Sequence, residues 1–119
     1  ENKQPNLDAV FHALADPTRR AVVQALGKGA ATVSDLAAPF DMGLPAFMKH
    51  LGVLEDAGLV ASRKTGRVRT CMLQPETMSA TERWFEEQRG LWQGRYAQLD
   101  ALLTALKETA MKADLYFQF

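Results

Sequence analysis

The spacing of hydrophobic residues predicts a run of helices in the first half of the chain. Apolar side chains three and four positions apart cover residues 7–14, and the N-cap sequence Asp16-Pro17-Thr18 opens a second helix that ends at Gly27-Lys28-Gly29. Thr32, with Asp35 three positions later, predicts a capping box and a helix of barely two turns. The connection between the first two helices is therefore very short.

A fourth helix and a β-hairpin follow. Leu44, Phe47, Leu51 and Leu54 form an apolar stripe that predicts a helix ending near Gly58. From residue 59 onward the pattern changes to a period of two. Two short runs, 59–64 and 67–73, flank a Thr65-Gly66 turn, which predicts a two-stranded hairpin.

The C-terminal part predicts one long helix from about Ser79 to Ala110, which has no proline and spaces its apolar residues by three to five positions. Such a helix is about 45 Å long, longer than the small body beside it, so part of its stripe needs a second chain. A C2 homodimer is the simplest solution. The predicted interface residues are Leu7, Val10, Phe11, Trp84, Trp92, Tyr96, Leu99, Leu103 and Leu106.

The predicted fold is mainly α with a small β-hairpin wing and a long C-terminal dimerisation helix. It occupies residues 7–110 as one domain, with tails at 1–6 and 111–119. The dimerisation helices are expected at about 7–14 and 79–110. Asp114-Leu115-Tyr116-Phe117-Gln118 resembles a protease site used to remove expression tags, so it is left out of the functional argument.

The composition limits which classes of protein and which cellular locations can be expected. The chain has 119 residues, 47% of them hydrophobic, which suits one globular domain. Cys71 is the single cysteine, which excludes an internal disulfide and any multi-cysteine metal site. No run approaches the ~20 apolar residues of a membrane span. A cytoplasmic protein with no membrane partner is expected.

Charge is balanced over the whole chain, with 14 Lys and Arg against 14 Asp and Glu, but it is segregated. Residues 43–74 carry five bases and two acids, whereas the flanking segments 1–42 and 75–110 are both net negative. Because phosphate binding depends on the local concentration of cations, the neutral total does not exclude a nucleic-acid partner.

A helix, a tight turn, a second helix and a basic hairpin form the layout of a winged helix-turn-helix module. The residues themselves resemble the ArsR-type family of bacterial transcriptional repressors over roughly residues 7–108. The resemblance is carried by four segments: Ala15-Asp16-Pro17-Thr18-Arg19-Arg20, Leu44-Pro45-Ala46-Phe47-Met48-Lys49-His50-Leu51, Val53-Leu54-Glu55-Asp56-Ala57-Gly58-Leu59-Val60 and Gly66-Arg67-Val68-Arg69-Thr70.

The resemblance implies a homodimer that binds an imperfect palindrome in double-stranded DNA and blocks transcription. By position, the groove-facing residues of the reader helix are Ala46, Met48, Lys49 and His50, and those of the wing are Arg63, Lys64, Arg67 and Arg69. Lys49 and His50 can hydrogen-bond base edges or phosphates, whereas Ala46 and Met48 offer only apolar contact, for instance to thymine methyl groups.

Each of these residues also has a structural interpretation. The wing cations could be ordinary solvated surface residues, and His50 could cap a helix or pack against its neighbours. Met48 could be an exposed apolar residue with no binding role. A rival function is a protein-interaction winged helix, in which the reader helix, with Gly43, Met48 and Gly52, docks on a partner protein.

No metal site or cofactor is predicted. The resemblance implies metal ligands in some members, but the Val33–Ala37 segment has no cysteine and the terminal helix has no histidine. His12 and His50 are therefore expected to have a structural or groove-facing role rather than to bind metal, and Cys71 to be a small buried hydrophobe rather than a reactive thiol. No catalytic set is found, so an enzyme is not expected.

The aromatic residues of the terminal helix have two interpretations. Trp84, Phe85, Trp92 and Tyr96 lie at helical spacing, which is typical of an interface core. The alternative is a pocket for an unknown small-molecule effector between the dimer helices.

Overall fold

The structure is a computed structural model that describes the backbone of residues 6–117 and the side chains of residues 6–112. Its elements are α1 (Leu7–Leu14), α2 (Pro17–Leu26), β1 (Ala31–Thr32), α3 (Val33–Ala37), α4 (Leu44–Asp56), β2 (Val60–Thr65), β3 (Val68–Leu73) and α5 (Pro75–Phe117). The mainly helical winged helix-turn-helix fold is confirmed. The chain divides into two compact units, one ending at Glu82 and the other beginning at Arg83.

Local capping explains where the first helices begin. The side chains of Asn6, Asp16 and Thr32 each accept a hydrogen bond from the backbone N–H three residues later, at 3.2, 3.0 and 3.1 Å. Such bonds satisfy N–H groups that the first turn of a helix leaves unpaired. The predicted starts of α2 and α3 are thereby confirmed.

The C-terminus of α4 is closed by a Schellman motif around Gly58. The N–H of Gly58 donates to the carbonyl of Glu55, and the N–H of Leu59 donates to that of Leu54, both at 3.0 Å. Gly58 has a φ of +76°, and an added Cβ would lie 2.9 Å from Oγ1 of Thr77. This turn directs the chain from α4 straight into the wing.

The sheet has three antiparallel strands in the order β1-β3-β2, so the prediction of a two-stranded hairpin was incomplete. β1 is missing from that prediction because its two residues form a strand only through pairing, Ala31 with Cys71 and Thr32 with Thr70. The hairpin register pairs Thr65 with Val68, which moves the turn by one residue to Gly66-Arg67. Gly66 has a φ of +62° there.

The core of the first unit is formed by α1 to α4 and the sheet. Its largest fully buried side chains are Val10, Val22, Phe47, Leu51, Leu54, Leu59 and Cys71. One prediction is wrong: Val10 is buried inside one chain and so is unavailable to a dimer interface. Leu44, which belongs to the same apolar stripe as the buried Phe47, Leu51 and Leu54, is 58% exposed.

Helix α5 is longer than predicted at both ends. It begins at Pro75 rather than Ser79, and it continues through residues 111–117, which were predicted to be a tail. Within the described part of the chain, no helix is long and apolar enough to cross a membrane. The predicted tail residues 1–5 and 118–119 lie outside the described residues.

Candidate nucleic-acid interface

The reader helix α4 is connected to the helices before it by Arg19. The guanidinium of Arg19 donates to the backbone carbonyls of Ala13 (2.7 Å, from Nε) and His12 (3.0 Å, from Nη2) at the end of α1. Its Nη1 lies 3.1 Å from Nδ1 of His50 on α4. Arg20 donates to the carbonyl of Leu14 at 2.8 Å and completes the C-cap of α1. One side chain therefore joins α1, α2 and α4.

Arg19 was missed as a functional candidate because its partners are six to thirty-one residues away. The Asp16-Pro17-Thr18-Arg19-Arg20 sequence gave the helix start but not these bonds. Two adjacent arginines, three and four residues after the N-cap Asp16, are the signal that could have suggested them, since unpaired carbonyls at the end of α1 need donors.

His50 was predicted either to face the DNA groove or to cap or pack, and the structure shows a packing contact for one of its ring nitrogens. Its half-buried ring points Nδ1 at Arg19 and lies 3.7 Å from Oδ2 of Asp16. The packing interpretation of His50 is therefore the one that the structure shows for this ring nitrogen. Ala46 and Lys49 are exposed on the surface of the same helix.

Asp16 has two structural roles where α1, α2 and α4 meet. Its carboxylate caps α2 by accepting the N–H of Arg19, and it faces His50. The backbone hydrogen bond from Arg19, followed by the charges of His50 and Arg19, lowers the pKa of Asp16 below its ordinary value even though partial desolvation opposes the shift. Asp16 thus stays ionised beside the reader helix.

The wing is attached to the reader helix by a second polar contact. The hydroxyl of Ser62 on β2 donates to Oε1 of Glu55 on α4 at 2.9 Å. With the Schellman turn at Gly58, this bond fixes the angle at which the wing leaves α4. The structural role of Glu55 was also missed in the sequence.

The reader helix and the wing border an open cavity of about 480 Å³, here called the wing cavity. Its apolar walls come from both elements and from α3, and they are formed by Val33, Leu44, Met48 and Val68. Three wing cations line it as well: Lys64, Arg67 and Arg69. Met48 is thus the one predicted reader residue that meets the predicted wing residues in this cavity.

The four predicted wing cations do not all lie together. Lys64 and Arg69 are directly paired across the hairpin and both line the wing cavity, whereas Arg63 pairs with Thr70. Because successive strand residues point to opposite faces, Arg63 lies on the other face of β2 from Lys64. Like charges directly opposite each other destabilise a hairpin, and an anionic partner would relieve that cost.

The described residues show no metal centre. Nowhere between residues 6 and 112 do three His, Cys, Asp or Glu side chains come together. Cys71 is fully buried, and burial raises the pKa of its thiol, with Glu55 adding to the shift and Arg69 opposing it. A protonated buried thiol is a poor nucleophile, which agrees with its prediction as a small hydrophobe.

The second unit presents a long apolar face. Trp84 and Phe85 pack edge to face with centroids 5.2 Å apart. A cavity of about 540 Å³ follows the same helix face, lined by Trp84, Phe85, Trp92 and Tyr96 with polar neighbours. Trp92 is 63% exposed and Tyr96 68% exposed, and Leu99, Leu103 and Leu106 are exposed as well.

Comparison with known proteins agrees with this geometry. A helix-turn-helix domain model matches residues 14–63. The HTH-type transcriptional regulator Rv2034 of Mycobacterium tuberculosis is 41% identical over 73 residues, which is 61% of this chain and 68% of that protein. The transcriptional repressor SdpR of Bacillus subtilis is 33% identical over 61 residues, 51% of this chain and 68% of that protein.

A solved structure extends the match beyond the helix-turn-helix. The crystal structure of the ArsR family transcriptional regulator RHA00566 is 56% identical, with a TM-score of 0.70, over 73% of this chain and 90% of that chain. The chain belongs to the ArsR family. The three similar proteins named here are all transcriptional regulators, which is a non-enzymatic role. The chain is accordingly a winged helix-turn-helix, DNA-binding regulator of transcription.

Proposed function

We propose that this protein is a homodimeric repressor that binds an imperfect palindromic operator in double-stranded DNA. The observation that carries the proposal is the wing cavity, where the reader helix and three wing cations share one surface. Phosphates are bound by cations of this kind, and base edges are read by a helix in the major groove. The predicted contacts are Ala46, Met48, Lys49 and His50 on α4, together with Arg63, Lys64, Arg67 and Arg69 on the wing.

The dimer is proposed from the exposed face of α5. Trp92, Tyr96, Leu99, Leu103 and Leu106 follow one another at spacings of four, three, four and three residues. That spacing is the 3.5-residue period of a coiled-coil seam, which packs against a second helix of the same kind. Leu7 and Phe11 of α1 and Trp84 of α5 remain predicted members of the interface, whereas Val10 is not one.

In the proposed mechanism, a dimer places its two reader helices in successive major grooves about one helical turn apart. Occupancy of an operator that overlaps a promoter would then exclude polymerase. The dimer axis would impose the two-fold symmetry of the operator.

We further propose that the inducer of this repressor is not a metal ion. The support is the lack of suitable ligands among the described residues: the α3 segment has no cysteine, and α5 has no histidine. A small-molecule effector between the aromatic residues of α5 is the remaining proposal for an inducer.

Selection from random duplex DNA tests this function. The purified protein is mixed with a random pool, and bound duplexes are recovered and sequenced. The proposal expects an inverted repeat whose half-sites are about one helical turn apart. Enrichment of no sequence by a protein that is folded and dimeric would contradict it and favour docking of the reader helix on a partner protein.

A further inference from the structure

The first five residues of the reader helix carry no side chain that can hydrogen-bond. They are Leu44, Pro45, Ala46, Phe47 and Met48. In helix-turn-helix proteins the N-terminal residues of the reader helix are the ones that meet base edges. Any side-chain contact between this half of α4 and a base must therefore be apolar.

Leu44 and Met48 stand four residues apart, so they lie on the same face of α4. Both line the wing cavity, together with Val33 from α3 and Val68 from β3. Leu44 is 58% exposed and Val68 is 51% exposed, although both are large hydrophobic residues. This apolar surface, formed by the exposed Leu44 and Val68 and the half-buried Met48, is called the apolar reader patch.

The charges around the apolar reader patch favour an anionic partner. Lys64, Arg67 and Arg69 line the same cavity, and none of the described residues that line it is Asp or Glu. A polyanion that also presents small apolar groups would match both features. Duplex DNA is such a partner, because the thymine C5-methyl is the apolar group that a base edge displays in the major groove.

We propose that the apolar reader patch reads thymine methyl groups, so that each operator half-site carries thymine opposite Leu44 and Met48. This inference rests on the proposed DNA-binding function and specifies which bases it recognises. The wing cations would hold the adjacent phosphates, which position the helix without reading sequence. A protein partner with an acidic rim is the competing occupant.

Uracil provides a direct test because it differs from thymine by that one methyl. Single thymines in the selected half-site are replaced by uracil, and affinity is measured for the wild-type protein and for Leu44→Ala. Leu91→Ala is the matched control, since Leu91 is 62% exposed on α5 and outside the wing cavity. A double-mutant cycle of protein and DNA isolates the contact between Leu44 and the methyl.

Removal of a contacted methyl is expected to weaken binding about fourfold for the wild type and for Leu91→Ala. For Leu44→Ala, the same replacement at the contacted position is expected to cost less than twofold. The inference is overturned if the wild type is indifferent to every uracil, or if Leu44→Ala shows the full loss. Absence of binding to any duplex would overturn the proposed function, and the inference with it.

Discussion

Arg19 and His50 are thirty-one positions apart in the sequence, yet Nη1 of the first lies 3.1 Å from Nδ1 of the second. The same guanidinium also donates to two carbonyls at the end of α1. The reader helix is thus connected by one side chain to α1, which is part of the proposed dimer interface. A change at this junction should therefore affect how α4 is presented to DNA.

The first prediction concerns Arg19→Lys. Lysine keeps the positive charge but lacks the planar fork that makes three bonds at once. We expect the free energy of unfolding to fall by about 1–3 kcal/mol and operator affinity to fall at a temperature where the variant is folded. Thermal unfolding and fluorescence anisotropy would measure the two effects.

Arg20→Lys is the control for that experiment. Arg20 also caps α1, through the carbonyl of Leu14, but no bond from it to α4 is found among the described residues. We expect it to lower stability with little change in the affinity of the folded protein. Equal losses of affinity in both variants would show that Arg19 acts through stability alone.

The second prediction concerns pH and Asp16. Because the pKa of Asp16 is lowered in the folded protein, its stabilising contribution is present above the ordinary aspartate pKa. That contribution is lost as the pH falls through the lowered value. Asp16→Asn can still cap α2 but cannot titrate, so its melting temperature should fall less steeply below about pH 4. Parallel profiles for the two proteins would contradict the assignment.

The third prediction concerns Gly58→Ala. The φ of +76° and the 2.9 Å approach to Oγ1 of Thr77 both oppose a Cβ at this position. We expect a loss of about 2–4 kcal/mol in urea unfolding. Gly66→Ala has a similar φ but no atom within 4 Å of the added Cβ, so it should lose only about 1–2 kcal/mol. If the two variants lost equal stability, the contact with Thr77 would have no effect.

The fourth prediction concerns the seam of α5. Leu99→Lys places a charge in the proposed interface and should convert the dimer to a monomer in sedimentation velocity experiments. Ala101→Lys introduces the same residue on the opposite face of the helix and should remain dimeric. A dimer that persists in Leu99→Lys would place the interface elsewhere.

Much of this fold could be predicted because the signals for helix ends are local. Asp16-Pro17, Thr32 and Gly58 act on backbone groups within a few residues, and the structure has each where the sequence placed it. Strand β1 could not be predicted in this way, because its two residues are defined only by pairing with Thr70 and Cys71.

The candidate site was harder to predict than the fold, because it depends on burial and on contacts between residues that are far apart in the sequence. Helical periodicity groups Leu44 with Phe47, but it does not show that the first residue of α4 extends past the core. It also groups Val10 with Phe11, although only Phe11 reaches the surface. The role of His50 depends on Arg19, a partner that no short-range pattern indicates.

The salt dependence of operator binding tests the central claim most directly. For a reader helix and wing that bind DNA, the logarithm of affinity should fall linearly with the logarithm of salt concentration. Arg69→Ala should make the slope shallower by about 0.9, the value expected for one phosphate contact. Lys28→Ala, in the turn after α2 and outside the wing cavity, should leave the slope unchanged. A wild-type affinity that barely varies with salt, or a slope that Arg69→Ala does not alter, would contradict the account.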